Sequence, residues 1–546
     1  MKYSKQILLL LLFTSISFLS FSYPGEEIRS FEAPGNFCTG ITFDGEHLWI
    51  ADRKEAKLFC INPQNGEIIR SIPAPGYWPM GLAWDGKYLW NVDVKGGLPL
   101  SENYDGKAYK IDPKDGTVLK TIPAPTSSPY GLTWDGKYLW CTDNGKNELI
   151  QFSPEDGTTI RSLKAPGHDP QGITWDGSYL WVSDRRHDEL YMVHPGNAEV
   201  LILTDSPGPY ARGVCFDNEN LWVVDYQTDK IYQLKAKDEQ KIRKTNEHKS
   251  LVTFNHRITN FGPGKVLTAD VYFGIPLDRP NQKINTRPAY SPGPGGFVND
   301  KWGFETAHFH YQNIEAGEQK NTEMKVEATT WDIRYFIFPD EVGNLDEIPQ
   351  DISGKFLENH EKYQYDHPVI QKAVKEAVGS EKNPYWIARK IYNYLMPRMY
   401  YEMTGGWNTA PTVLERGNGS CSEYTFVYIA MCRAAGLPAR YVGSVVIRGD
   451  YASLDDVYHR WVEVYLPNYG WVPVDPSGGD SESPRHRANY FGALANRFLI
   501  TTESGGGSET MTWTYNSNEF YTTEPKTNVC VDHFAEWEPV DKNKAY

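Results

Sequence analysis

Five times between residues 24 and 237 the chain spells a variant of Gly-Ile-Thr-Trp-Asp-Gly-x-Tyr-Leu-Trp. The copies start at Gly40, Gly81, Gly131, Gly172 and Gly213. Their closing tryptophans, Trp49, Trp90, Trp140, Trp181 and Trp222, fall 41, 50, 41 and 41 residues apart. Such a period constrains architecture more than any single motif, because each unit must bury its apolar face against the next. The Asp-Gly pair of each copy (Asp-Asn in the last) is a tight turn between two strands. A third strand follows, as at Glu189–Val193, and a fourth precedes the next copy, as at Gly157–Leu163. Four short strands per forty or so residues make a propeller blade. The fifth copy stops after its third strand, near Leu234, whereas Gly25–Pro34 copies Gly66–Pro75, the fourth strand of another unit. Residues 24–237 therefore predict a five-bladed β-propeller closed by its own N-terminal segment. The one long interval comes from extra residues around Gly96–Asp105.

These blocks resemble the NHL-type and related propeller repeats. The repeated tryptophans read as packing between blades, since large aromatics dominate such cores. Asp52, Asp93, Asp143, Asp184 and Asp225 end the second strand of each blade. Five carboxylates at equivalent positions could ring one face and hold a cation; as turn caps they would have a purely local role.

At 546 residues the chain exceeds one core and calls for several domains. Lys2 and Lys5, the apolar run Ile7–Phe13 and the Ser/Phe-rich stretch to Ser22 have the parts of a secretory signal over residues 1–22, with a signal anchor as the alternative. No later segment is long and apolar enough to span a membrane. Removing residues 1–22 leaves 53 basic against 70 acidic residues, a net charge of −17. That balance disfavours nucleic acid as a partner. A secreted, periplasmic or cell-surface location is expected. Seven cysteines cannot all pair, and Cys38, Cys60, Cys141 and Cys215 lack framework spacing, so they read as small strand residues. Asn418-Gly419-Ser420 is the sole N-glycosylation sequon, which suits a bacterial route that does not glycosylate.

Residues 238–249 are charged and read as a linker. Residues 250–340 alternate like strands, at Leu251–Ile258, Val266–Phe273, Phe304–Tyr311, Thr322–Thr330 and Tyr335–Phe338, with Pro/Gly-rich turns between. An immunoglobulin-like β-sandwich fits. His308 and His310 share a strand face but lack further ligands at matching spacing, so no metal site is assigned. No cofactor is expected either. Helices are expected at Pro368–Val378 and Pro384–Met396, a strand at Tyr490–Thr502, and residues 506–546 as a tail.

From Gly417 to Gly436 the chain reads Gly-Asn-Gly-Ser-Cys-Ser-Glu-Tyr-Thr-Phe-Val-Tyr-Ile-Ala-Met-Cys-Arg-Ala-Ala-Gly. Ser420 and Glu423 have capping-box spacing, which puts Cys421 at the first helical position. The following residues are apolar on nearly every face, so the helix is buried, and Cys432 inside it is core filler. A thiol in the first helical turn sits at the positive end of the dipole, where the thiolate is favoured. His459–Asp475 reads as a hairpin about Pro467, which places His459 directly opposite Asp475. A carboxylate facing an imidazole fixes its tautomer and stabilises its charged form.

Gly419-Ser-Cys421-Ser-Glu423, Gly436-Leu-Pro-Ala-Arg440, His459-Arg-Trp-Val-Glu-Val and Gly470-Trp-Val-Pro-Val-Asp475-Pro together resemble the transglutaminase-like superfamily. The resemblance implies a papain-like α+β domain, placed at 341–505, with Cys421 as nucleophile, His459 as base and Asp475 as orienting acid. Trp407-Asn-Thr-Ala-Pro-Thr-Val-Leu414 resembles the segment that carries an oxyanion-holding indole, which assigns that role to Trp407. Two functions fit. One is an exported cysteine peptidase, amidase or protein-glutamine acyltransferase acting on a protein or peptide, with a protein or glycan ligand docking on the propeller. The other is a surface binding protein that works through the propeller and keeps a relic triad.

Overall fold

Each turn of the repeat is held by its own aspartate. Asp135 Oδ1 accepts the turn N–H groups of Lys137 at 2.9 Å and Tyr138 at 2.7 Å, and Oδ2 accepts the Trp140 indole at 2.8 Å. The indole bond recurs from Trp49 to Asp44, Trp90 to Asp85, Trp181 to Asp176 and Trp222 to Asp217, at 2.7–3.0 Å. The repeated Asp and Trp are thus one device. The carboxylate closes the turn and satisfies the only polar atom of a ring buried between blades.

The computed structural model describes residues 23–94, 106–403, 406–447 and 453–540; the signal and the extra residues near Gly96–Asp105 lie outside these. Five four-stranded antiparallel sheets form the propeller. Glu27–Glu32 is the outer strand of the fifth, with Phe31 paired to Ile231 and Ser30 to Tyr232. Around the axis the inner strands meet backbone to backbone. A Cβ on Gly40 would lie 2.3 Å from the Met80 carbonyl oxygen, and one on Gly81 would lie 2.4 Å from the Leu132 nitrogen. Only glycine permits that approach. Asp52, Asp93, Asp184 and Asp225 each accept the backbone N–H of the residue fifteen positions earlier, at 2.6–2.9 Å. Asp143 instead accepts the Thr126 hydroxyl at 2.7 Å and the Gly145 N–H at 2.8 Å. All five are occupied as turn caps, and none of the described His, Cys, Asp and Glu residues cluster in threes that could hold a metal.

The second module is an immunoglobulin-like β-sandwich, and it corrects two sequence expectations. Residues 238–249 are not a linker throughout, because Ile242–Gly262 is one long strand, paired from Ile242↔Tyr335 to Thr259↔Gln319. Ladder pairing is a backbone property, and the long charged side chains at its start stay in water, so no apolar alternation marked it. Nor is 506–546 a tail. Ser517–Thr523 pairs with Val266–Gly274, and Asn528–Pro539 pairs with Ile242–Gly262. The sandwich is therefore discontinuous and is completed by strands from beyond the catalytic module. The strand expected at Tyr335–Phe338 is not separate: Gln319–Tyr335 ends at its first residue, and Phe336, Ile337 and Phe338 lie outside any strand. His308 and His310 both bond Asp270 Oδ1, at 2.8 Å each.

The α+β module stacks helices on a four-stranded sheet ordered Gly470–Val474, His459–Leu466, Ala439–Val446, Phe498–Ser504. Pro368–Ala377 and Pro384–Leu395 are helices; the Asn383 side chain caps the second by accepting the Tyr385 N–H at 2.9 Å. The fourth propeller blade packs against this module. Arg485 makes a two-pronged pair with Glu189 at 2.6 and 2.7 Å, and buried Arg389 reaches Glu199 at 3.1 Å and the Val200 carbonyl at 2.7 Å. Among the described residues no helix is long and apolar enough to cross a membrane.

Candidate active site

The helix Cys421–Ala434 is buried on every face through Arg433, so its start is fixed by packing on all sides. Glu423 ties that start to its surroundings. Its Oε2 accepts the Ser420 N–H at 3.1 Å and pairs with Arg416 at 3.0 Å, while Oε1 accepts the Asn408 N–H at 3.0 Å. The acid of the capping box thereby anchors the segment that carries Trp407.

His459 opens the strand His459–Leu466, and Asp475 follows the strand Gly470–Val474. The hairpin is centred on Asn468 rather than Pro467, with Leu466 opposite Gly470 and Val462 opposite Val474. Asn468 (φ 71°) and Gly470 (φ 74°) take the left-handed turn positions. His459 is therefore diagonal to Asp475, not directly opposite it. The offset of two residues keeps both side chains on one face. His459 Nε2 lies 2.7 Å from Asp475 Oδ2. Asp475 Oδ1 is held by the Ser477 hydroxyl at 2.8 Å and the N–H groups of Ser477 at 3.0 Å and Gly478 at 2.8 Å. The same imidazole acts on the Cys421 thiol, each favouring the other's charged form. With Nε2 committed to Asp475, Nδ1 is the nitrogen left for the thiol.

Cys421 lies on the wall of a cavity of about 330 Å³ that Trp407, Tyr458, Tyr515 and His533 also line. The structure therefore gathers all four residues singled out in the sequence, Cys421, His459, Asp475 and Trp407, around one thiol.

Residues 371–476 match the model of the transglutaminase-like superfamily. They form a transglutaminase-like domain. A Bacillus subtilis protein without assigned function, YebA, is 27% identical over 164 residues, which are 28% of this chain and 20% of that one. A protein-glutamine gamma-glutamyltransferase of Pseudomonas aeruginosa is 32% identical over 80 residues, 14% of this chain and 12% of that one. The chain thus spans only a minor part of these relatives' length. Among solved structures, a Cytophaga hutchinsonii protein provisionally named a cysteine protease covers 56% of this chain and 94% of its own, at 15% identity and a TM-score of 0.39. Staphylococcus aureus virginiamycin B lyase covers 38% of this chain and 68% of its own, at 22% identity and a TM-score of 0.25.

The electrostatics of the transglutaminase-like domain favour a charge-separated pair. Burial opposes ionisation of Cys421, but the hydrogen bond and charge of His459, with the Arg460 N–H and charge, outweigh it and hold the thiol below its ordinary value. Burial likewise opposes the imidazolium, yet Asp475 and Cys421 push His459 up to about 10. Asp475, although buried, is held below the usual carboxylate range by His459, Gly478 and Ser477. Cys432, eleven residues on, has its thiol pushed well up by burial.

Two residues at the thiol escaped sequence reasoning. Arg460, completely buried, packs its guanidinium carbon 4.3–5.4 Å from the ring centres of Tyr515, Tyr441, Trp407 and Phe426. Its Nη2 donates to the Trp513 carbonyl, while Nε and Nη1 have no partner among the described residues. An arginine next to the candidate base, on a strand whose neighbours Trp461, Val462 and Val464 read as core, was the available signal. Tyr515 lines the same cavity as Cys421, and burial with the thiol's charge pushes its hydroxyl up; its segment has no periodicity to mark it.

Proposed function

We propose that this chain is an exported cysteine enzyme that cleaves or transfers acyl groups from peptide bonds or glutamine carboxamides. The observation that carries the reading is the His459–Asp475 bond of 2.7 Å, on an imidazole whose charge favours the Cys421 thiolate. In this reading the Cys421 thiolate attacks the carbonyl carbon. The oxyanion is held by the Cys421 N–H and the Trp407 indole N–H. His459 gives its proton to the departing amine or ammonia, leaving a thioester. It then takes a proton from water or from an acceptor amine, which attacks the thioester and frees Cys421. Asp475 holds the imidazole orientation throughout. The signal-like residues 1–22 support action outside the cytoplasm, and the propeller would bring the enzyme to its target.

A glutamine-containing peptide with and without an added primary amine tests this. Ammonia release with amine incorporation marks a transferase; release alone or chain cleavage marks a hydrolase. Cys421→Ala and His459→Ala should each abolish turnover, and Trp407→Phe should lower it on the order of a hundredfold. Alkylation mapped to Cys432 with Cys421 unlabelled, or full turnover in Cys421→Ala, would overturn the proposal.

A further inference from the structure

The propeller has a second candidate site, on the axis at the end away from the Asp-Gly turns. Below this mouth the inner-strand glycines of neighbouring blades meet backbone to backbone, which narrows the axis and leaves a cup above them. Its floor is made by the residues just before those glycines: Thr39, Met80, Tyr130, Gln171 and Arg212. Aromatic rings wall it, since the Arg212 guanidinium carbon lies 5.2–6.0 Å from the ring centres of Phe37, Tyr130, Tyr210 and Tyr226. Two further arginines stand at the rim. Arg53 lies 3.6 Å above the Trp78 ring, and Arg185, its side chain 47% exposed, lies 4.2 Å above Tyr210.

Repetition alone does not explain this set. The five equivalent floor positions carry five different residues, whereas the blade-packing positions repeat, so the cup departs from the rule that built the ring. Three arginines, Arg53, Arg185 and Arg212, meet at this mouth, whereas the five strand-end aspartates beside it are taken up by backbone N–H groups and the Thr126 hydroxyl. Among Phe37, Trp78, Ser128, Asp169 and Tyr210, which stand two residues before the floor positions, Asp169 is the one acid, and it is already engaged by Arg185, Asn144 and Gln171.

Two buried polar groups at the floor are unfinished. Arg212 is 5% exposed, yet its Nε and Nη1 have no partner among the described residues. Burial, reinforced by the like charges of Arg53 and Arg185, opposes its own charge. Gln171 is 1% exposed, and its Oε1 also lacks a partner among them. Burying such groups unpaired is costly, and a ligand seated in the cup would complete them.

We propose that this cup binds a carboxylate-bearing sugar residue of the uronic acid type. The guanidinium donors match a carboxylate. The unpartnered Gln171 Oε1 needs a donor, which a bare carboxylate lacks and a sugar hydroxyl supplies. The aromatic wall suits the C–H face of a pyranose ring. This site is independent of Cys421 and would tether the acyl-transfer domain to an acidic polysaccharide.

Calorimetric titration of the full chain with trigalacturonate, and with its methyl ester, tests the proposal. The acid should bind, weaken with salt, and bind at least about tenfold more tightly than the uncharged ester. Arg212→Gln should weaken it by at least about tenfold without changing Cys421 labelling. Should that variant misfold, Arg53→Gln at the rim should give a loss in the same direction. Absence of binding at millimolar sugar, equal binding of acid and ester, or affinity unchanged in the folded variants would overturn the proposal. Binding of a peptide C-terminal carboxylate as tight as the sugar acid would also overturn it.

Discussion

Arg460 holds its guanidinium carbon 4.3 Å from the ring centre of Tyr515, which lines the same cavity as the Cys421 thiol. A cation, an aromatic ring and a thiolate are thus in sequence at the start of one helix. Arg460→Met keeps the stem that fills the cage and removes the charge. The thiol should then ionise at higher pH, on the order of one unit, as read from the pH dependence of alkylation. Thermal stability should hold or rise, because a buried guanidinium with two unpartnered nitrogens is lost at the cost of one bond to the Trp513 carbonyl. A variant with an unchanged alkylation profile would remove Arg460 from thiol activation.

Asp475→Asn preserves the shape behind the imidazole but not its charge. Because Asp475 Oδ1 is held by Ser477 and Gly478, the amide should sit in place and the protein should stay folded. Turnover should drop steeply, since the imidazole loses the acceptor that fixes its tautomer. Unchanged turnover with unchanged melting would deny Asp475 its role.

The charge-separated pair predicts two different pH profiles. His459 is raised to about 10, so acyl transfer, which needs its proton, should decline as pH rises through about 10. Alkylation needs only the thiolate and should persist there. On the acid side both should fall together, below the ordinary thiol value, because Cys421 is lowered. The stability signs follow. The raised imidazole contributes fully below its unfolded value near 6.5 and loses that contribution as pH rises through about 10. The lowered thiol contributes above its ordinary value of 9.0 and loses that contribution as pH falls through its folded value. Parallel loss of alkylation and acyl transfer at high pH would contradict the pair.

Asp135→Ala tests the propeller device. The change removes the acceptor of the Trp140 indole, of the Gln151 side chain at 2.7 Å and of two turn N–H groups. With the indole left unpaired in a buried blade contact, the propeller should lose about 1–3 kcal/mol, measured by denaturant unfolding. A loss no larger than that of an exposed substitution such as Lys137→Ala would reduce the aspartate to a turn former.

The sequence alone determined what rests on local or repeated chemistry. Asp-Gly turns five residues ahead of a tryptophan specify a blade, and the orphan strand Glu27–Glu32 closes the ring because the fifth unit lacks one. Ser420, Glu423 and the apolar run after Cys421 start a buried helix with a thiol at its positive end, since capping and burial are read within one turn. The tertiary structure decided whatever depends on residues far apart in the chain. The hairpin centre moved to Asn468 because turn conformation, not strand pattern, sets register. The strands at Ser517–Thr523 and Asn528–Pro539 joined the sandwich because a ladder needs only backbone, which no side-chain pattern announces. Arg460 and Tyr515 reached the thiol, and Arg212 the floor of the cup, for the same reason. Each is one ordinary residue in the sequence, and its chemistry is set by the low-dielectric, ring-lined surroundings that only the folded chain assembles.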